Sequence, residues 1–299
     1  MRRAFRTLDV FTDAALAGNP LAVVLDTDGL DDVQMQRIAR EFNLAETVFV
    51  FEPKNPVNTA RLRIFTPARE LPFAGHPTIG AAVLIAHLRA KELLKTEDLR
   101  VVLEEQVGEI VCVARHRKGK AMAAYFNLPR LPEPMGAAPS KASLAADLGL
   151  DVAEIGFGAH EPLLMGAGTP NLFVPVNGLA AMAKAQPDRK HWGENGGPCV
   201  YLYSREVLHK GSAYHARMFA SGWGVYEDPA TGSAAAAFAG VLMAFEPPGD
   251  GEHVVTIEQG IEMGRPSFIA LGLEVEGGKL RAATIGGSAV IVSDGVLHL

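Results

Sequence analysis

The sequence predicts an α+β protein built of two duplicated domains, each a curved, mainly antiparallel sheet wrapped around one central helix. Three observations lead there. The two halves repeat short motifs in the same order: Gly18-Asn19-Pro20-Leu21-Ala22-Val23-Val24 with Gly168-Thr169-Pro170-Asn171-Leu172-Phe173-Val174, and Arg63-Ile64-Phe65-Thr66 with Arg217-Met218-Phe219-Ala220. Gly75-His76-Pro77-Thr78 follows in one half and Glu227-Asp228-Pro229-Ala230-Thr231-Gly232-Ser233 in the other, then Glu105-Gln106-Val107-Gly108 and Glu258-Gln259-Gly260. The offsets are 150, 154, 152 and 153 by subtraction of residue numbers, far beyond the period of about 50 residues that marks solenoids. Two helix-length segments are rich in small apolar residues all round, which suits a helix buried inside a sheet. Most of the remaining ordered stretches alternate or run apolar over strand lengths.

The elements follow in order. Residues 4–11 alternate as a strand; Gly18-Asn19-Pro20 turns, and Leu21 to Leu25 is a short buried strand. Asp31 or Asp32 caps a helix whose Met35, Ile38 and Phe42 share one face. Glu46 opens a strand to Phe51, and Arg61 to Thr66 alternates as another. Pro72 to Pro77 reads as a loop before a helix from Thr78 to Ala90. Strand patterns occupy 101–114 around a turn at Gln106-Val107-Gly108. Pro129, Pro132, Pro134 and Pro139 give 128–140 the composition of an interdomain linker. Helix 140–148 follows, then strands at 162–166, 172–177, 199–204 and 213–219. The second small-residue helix is 232–245. Strands at 253–257, 267–273, 280–284 and 288–293 close the chain.

Composition bounds the function. The 299 residues suffice for two ordinary domains, and 48% hydrophobic content for two cores. A net charge of −6 advertises no basic face, so neither nucleic acid nor an anionic membrane is an expected partner. No apolar stretch approaches membrane-spanning length and the N-terminus lacks a signal pattern, so the chain reads as cytoplasmic. Cys112 and Cys199 form no disulfide framework; each sits in or before an apolar strand pattern. The histidines lack metal-binding spacing, so no metal is expected. Neither Gly156-Phe157-Gly158 nor Gly166-Ala167-Gly168 completes a dinucleotide fingerprint, and no phosphate-binding Gly-rich loop with Lys occurs. The inventory fits acid–base chemistry on an activated C–H bond without a cofactor.

That chemistry points to the two helix starts. Each central helix follows a proline-containing turn that leaves backbone N–H groups at a helix N-terminus, with the positive end of the macrodipole behind them. Two readings stand. Thr78, Asp228 and Ser233 cap the helices, or the turns bind the carboxylate of a ligand, glycine allowing close approach. The cleft between two domains is a natural place for such a ligand. His76 is held between Gly75 and Pro77, where position alone favours a structural histidine over a functional one. Glu46 stands where a helix hands over to an apolar strand; it is either a strand-edge carboxylate in a salt bridge, the reading that position alone favours, or a carboxyl group that partial desolvation suits to general acid–base work. Ser233 lacks the Gly-x-Ser-x-Gly surroundings of a hydrolase nucleophile.

These motifs resemble the phenazine-biosynthesis PhzF family of isomerases, relatives of diaminopimelate epimerase. The likeness spans nearly the whole chain. It is carried by Asp9-Val10-Phe11-Thr12 with Gly18 to Val24, Ala39-Arg40-Glu41-Phe42-Asn43-Leu44-Ala45-Glu46-Thr47, Arg63 to Pro67, Glu70 to Thr78, Glu227 to Ala234, and Gly286-Gly287-Ser288-Ala289-Val290. The resemblance implies two diaminopimelate-epimerase-like domains: 1–128, completed by the C-terminal strand 285–299, and 129–284. It implies Glu46 as the general acid/base, with His76, Asp228 and Ser233 as further catalytic positions. Asn19, Gly75, Pro77, Thr78, Thr231 and Gly232 are the implied substrate-binding residues. The partner is a small carboxylate-bearing metabolite, and the assembly a homodimer. The paired cysteines of cofactor-independent racemases are absent: Ala74 or Gly75 and Asp228 stand in their places. Ala45 replaces the serine that family members often carry before the glutamate. The expected reaction is a double-bond or 1,3-proton shift with Glu46 as single base. Epimerisation of an amino or hydroxy acid, or binding without turnover, are the alternatives.

Overall fold

The computed structural model describes residues 2–187, 197–221 and 225–299. It divides the chain into two units, Met1–Asn127 with Gly286–Leu299, and Leu128–Ile285.

The first unit runs β1 (Arg2–Val10), β2 (Asn19–Val24), α1 (Asp32–Phe42), β3 (Glu46–Phe51), β4 (Ala60–Phe65), β5 (Glu70–Leu71), α2 (Gly75–Ala90), β6 (Leu99–Glu105), β7 (Gly108–Arg115) and β8 (Met122–Asn127). Strand β2 pairs antiparallel with β1 and parallel with β3. Strand β4 lies antiparallel to β3 and β5 and parallel to β6, and β6, β7 and β8 continue antiparallel. Helix α2 packs against β1, β2, β3, β6, β7 and β8, and every residue from Gly75 to Ala86 is buried. Its small residues let the sheet close on it. A Cβ on Gly80 would stand 2.5 Å from Leu21 Cδ2 and 2.9 Å from Val10 Cγ2, so glycine sets how near α2 comes to β1 and β2. Helix α1 begins with a capping box between Asp31 and Gln34 and ends at Asn43 in the left-handed conformation.

The second unit contains β9 (Glu133–Gly136), α3 (Lys141–Leu148), β10 (Leu163–Gly166), β11 (Pro170–Pro175), α4 (Leu179–Lys184), β12 (Cys199–Ser204), β13 (Tyr214–Ala220), β14 (Val225–Asp228), α5 (Gly232–Phe245), β15 (Gly251–Gln259) and β16 (Ser267–Glu276). Strand β10 pairs antiparallel with β9 and β11. Strand β12 is parallel to β11 and antiparallel to β13, which is antiparallel to β14 and parallel to β15. Strand β16 lies antiparallel to β15. Helix α5 packs on β9, β10, β11 and β16. The last strand, β17 (Lys279–His298), begins in this unit, and its part from Ala289 to His298 pairs antiparallel with β1 of the first.

Similar contacts recur in the two units, 154 positions apart except for the acids gripped by the arginines, which are 157 apart. Arg63 grips Glu70 with two parallel bonds and covers the Phe65 ring; Arg217 does the same with Glu227 and Phe219. Glu104 accepts the backbone N–H groups of Lys54 and Asn55, and Glu258 those of Leu208 and His209. This corrects one register of the sequence comparison. Glu258 corresponds to Glu104, so Gln259 corresponds to Glu105.

Four further expectations are corrected. Helix α2 starts at Gly75, so His76 and Pro77 lie in its first turn and not in a loop; proline is tolerated there because no intrahelical partner awaits its missing N–H. The proline-rich segment 128–140 is no bare linker, since β9 pairs there with β10, as an exposed edge strand that accommodates Pro134. The strands expected at 280–284 and 288–293 are one continuous β17. Gly286 does not break it; a Cβ there would lie 1.9 Å from the Tyr125 ring, so the glycine admits that ring. Strands β5, β8 and β14 and the short α4 had no predicted counterpart. Among the described residues no helix is long and apolar enough to cross a membrane.

Candidate active site

In the first unit the site begins with β2 and β3. Their parallel register sets Glu46 beside Leu21, two residues beyond the fully buried Asn19. Side chains two apart share a strand face, so Asn19, Leu21 and Glu46 occupy one face. Gly18 makes the entry to β2: its φ is +65° and a Cβ would meet the Val10 carbonyl oxygen at 2.3 Å. Helix α2 packs on this part of the sheet and brings His76 to Glu46, with Nε2 3.2 Å from Oε2.

The His76 side chain is 6% exposed and that of Glu46 16%. Burial pushes the His76 imidazole down to about 3, so the ring is neutral at ordinary pH. Its Nε2 is buried without a hydrogen-bond partner among the described residues; the approach to Glu46 is close but outside hydrogen-bond alignment. A buried polar atom in that state is costly and marks a place where an incoming group would complete the bonding. The start of α2 carries no side-chain cap, which disfavours the capping reading of Thr78. Thr78 Oγ1 donates to the Ala74 carbonyl at 2.7 Å and also stands 2.7 Å from Glu105 Oε1. Its hydroxyl is thus committed inside the protein. Gly75 and His76 precede Thr78, whose N–H makes the first backbone bond of the helix; their amides are those a helix start offers to an anion.

In the second unit the turn before α5 is built differently. Thr231 is the N-cap residue without a side-chain cap bond. Its hydroxyl donates to Asp228 Oδ2 at 2.5 Å, so Asp228 and Thr231 are brought together. The fully buried Gln259 holds the turn from behind: its amide nitrogen donates to the Asp228 carbonyl at 2.7 Å and to Thr231 Oγ1 at 3.0 Å, and its oxygen accepts from Thr231 N at 3.2 Å. Gly260, at φ +75°, lies so close to Pro229 that a Cβ would stand 2.5 Å from its carbonyl oxygen. Gly232 is buried and Ser233 exposed in the first turn of α5. Burial, with the Asp228 charge as the smaller cause, pushes the Cys199 thiol up to about 12 and raises the Tyr201 phenol. Both cysteines are buried thiols, which makes them inert. Among the described residues no cluster of three or more His, Cys, Asp or Glu could hold a metal ion.

Glu105 and Gln259, the residues behind the two turns, were not singled out from sequence as functional positions. The signal was present in the repeat, where both stand one place after a glutamate that ties down a loop.

The family model described as "Phenazine biosynthesis-like protein" matches residues 8–295. The chain belongs to this family. It is 48% identical to an uncharacterized isomerase of Mesorhizobium japonicum, with 99% of each chain covered. It is 33% identical to the trans-2,3-dihydro-3-hydroxyanthranilate isomerase of Pseudomonas chlororaphis, over 98% of each. Among solved structures, a PhzF-family phenazine biosynthesis protein of Bacillus anthracis superposes over the full length of both chains with a TM-score of 0.88 at 27% identity. Its relatives are isomerases, and isomerase is the enzyme class of this PhzF-family member.

Proposed function

We propose that this protein is a cofactor-independent isomerase that shifts a proton, and with it a double bond, on a small carboxylic acid, with Glu46 as single general acid and base. One observation carries the reading: the half-buried Glu46 brings its Oε2 to 3.2 Å from a buried, neutral His76 at the head of α2. Glu46 as carboxylate takes a proton from a carbon next to an unsaturated or carboxylate-bearing system. The electron pair delocalises into that system, and the protonated Glu46 returns the proton to a different carbon. No redox partner enters the balance. A neutral imidazole N–H and the amides of Gly75 and His76 suit the stabilisation of developing negative charge, because preorganised dipoles need no rearrangement as the charge forms. Asn19, Gly75, Pro77, Thr231 and Gly232 are assigned to substrate binding, with Asp228 and Ser233 as polar partners; Thr78 contributes by holding the turn. Repetition of the strand pairings and of the Arg–Glu grips supports a further reading, that the two units are copies of one diaminopimelate-epimerase-like domain.

The test is deuterium incorporation in heavy water. The native protein and Glu46→Gln are incubated with trans-2,3-dihydro-3-hydroxyanthranilate, the compound named for the Pseudomonas relatives, and with a panel of unsaturated and amino carboxylic acids. Mass and ultraviolet absorbance are followed. The expected result is a label or absorbance change that falls by at least about 100-fold in Glu46→Gln, the usual worth of a general acid–base group, with the fold unchanged by circular dichroism. Undiminished turnover in the variant would remove Glu46 from the chemistry. Inversion at one carbon without an absorbance change would make the protein an epimerase.

A further inference from the structure

We propose that Glu105 is a positioning residue: held as a neutral carboxylic acid, it fastens the first turn of α2 and with it the His76 imidazole. Glu105 ends β6, and its Oε1 lies 2.7 Å from Thr78 Oγ1. Thr78 Oγ1 lies equally close to the Ala74 carbonyl oxygen. A hydroxyl has one proton and a carbonyl has none, so the Thr78 proton goes to Ala74 and the bond to Glu105 is completed by a proton on the carboxyl group. The other oxygen, Oε2, is buried without a hydrogen-bond partner among the described residues, a state tolerable for an acid and very costly for a carboxylate.

The second unit supplies an independent argument. The register of β4 with β6 sets Arg61 opposite Glu104, and that of β13 with β15 sets His215 opposite Glu258. Glu105 therefore corresponds to Gln259, which braces the turn before α5 with a donor and an acceptor on one planar group. A protonated carboxyl offers the same pair, whereas a carboxylate only accepts. The surroundings agree. Burial pushes Glu105 up to about 8. The titratable group near it on β7 is Cys112, itself pushed up chiefly by burial. Neighbouring Glu104 is engaged instead by Lys54, Asn55 and Asn58.

Thermal unfolding against pH tests the protonation. An unfolded Glu105 ionises near 4.5 while the folded one keeps its proton to about 8, so the native state binds the extra proton and loses stability as pH rises between those values. Glu105→Gln carries no such proton. Its melting temperature is expected to gain on that of the native protein between about pH 5 and pH 8 and to hold a constant lead above. Parallel curves would overturn the proposal. If Glu105→Gln does not fold, the native protein and Thr78→Val are compared by infrared spectroscopy. A protonated-carboxyl band at neutral pH, moved to higher frequency in Thr78→Val where the acceptor of its proton is gone, is then the supporting result; no such band at pH 6 would overturn it. Positioning is read from the ring resonances of His76. They are expected not to titrate above about pH 5 in the native protein and Glu105→Gln. In Glu105→Ala, where the turn loosens and water reaches the imidazole, they are expected to titrate. An unresponsive His76 there would reduce Glu105 to a packing residue. The functional reading gives His76 its importance, but these measurements need no substrate, so either reading can fail alone.

Discussion

At the scale of single residues, Glu46 and His76 were legible as candidates because their local settings are unusual: an acid at the mouth of an apolar strand, and an imidazole between glycine and proline. Their partnership was not. It depends on how α2 lies across β2 and β3, which no local pattern encodes. Burial then gives His76 a measurable signature. An unfolded histidine takes a proton near 6.5, but the native ring resists to about 3. Below 6.5 the unfolded chain binds the additional proton, so the stability present above that pH is lost as acid is added. At pH 5 this one group should have cost the native protein about 2 kcal/mol relative to neutral pH. His76→Asn should show a correspondingly shallower acid decline in chemical denaturation. Equal slopes for the two proteins would mean that water reaches the native ring.

Elements were read well where periodicity was strong. Helix α5 spans the predicted 232–245, and α1 carries the Asp31 cap. Periodicity failed where a short strand is defined by its neighbour, as in β5, β9 and β14, because pairing partners distant in sequence leave no local trace. It also placed the start of α2 three residues late, since glycine, histidine and proline carry a loop signal that the first turn of a helix tolerates. The depth of α2 turns on Gly80. Alanine there gains about 1 kcal/mol of helix propensity, but its Cβ would collide with Leu21 and Val10, and overpacking of that kind costs about 1–3 kcal/mol. Gly80→Ala should therefore lower stability by about 1 kcal/mol, the middle of the net range, in urea denaturation. Leu21→Val, which shortens one of the colliding side chains, should recover part of the loss. Because Leu21 pairs with Glu46, turnover should fall further than stability alone explains. A variant as stable as the native protein would show that β1 and β2 can yield.

At the scale of the whole molecule, the alignment of the two halves slipped by one residue at Glu105, because both halves carry a Glu-Gln pair and only strand register tells which glutamate ties down the loop. The contacts that repeat faithfully, the two Arg–Glu grips, differ in depth, and depth governs their energetic weight. Arg217 is 7% exposed and also donates to the carbonyls of Met182 and Ala185 at 2.6 and 3.0 Å. Arg63 is more open, and its third partner, Asp32, is exposed. Removing one member of a buried pair strands the other, at about 3–5 kcal/mol, while an exposed pair is worth about 1 kcal/mol or less. Arg217→Met should therefore destabilise by about 3 kcal/mol or more and expose Glu227 without its counter-charge. Arg63→Met, whose pair with Glu70 is half-buried, should cost less, about 1–2 kcal/mol. The two side chains share no partner, so the double variant should lose the sum to within about 0.5 kcal/mol. Equal losses from the two single variants, measured by denaturant unfolding, would show that the repeated grips are energetic as well as geometric copies.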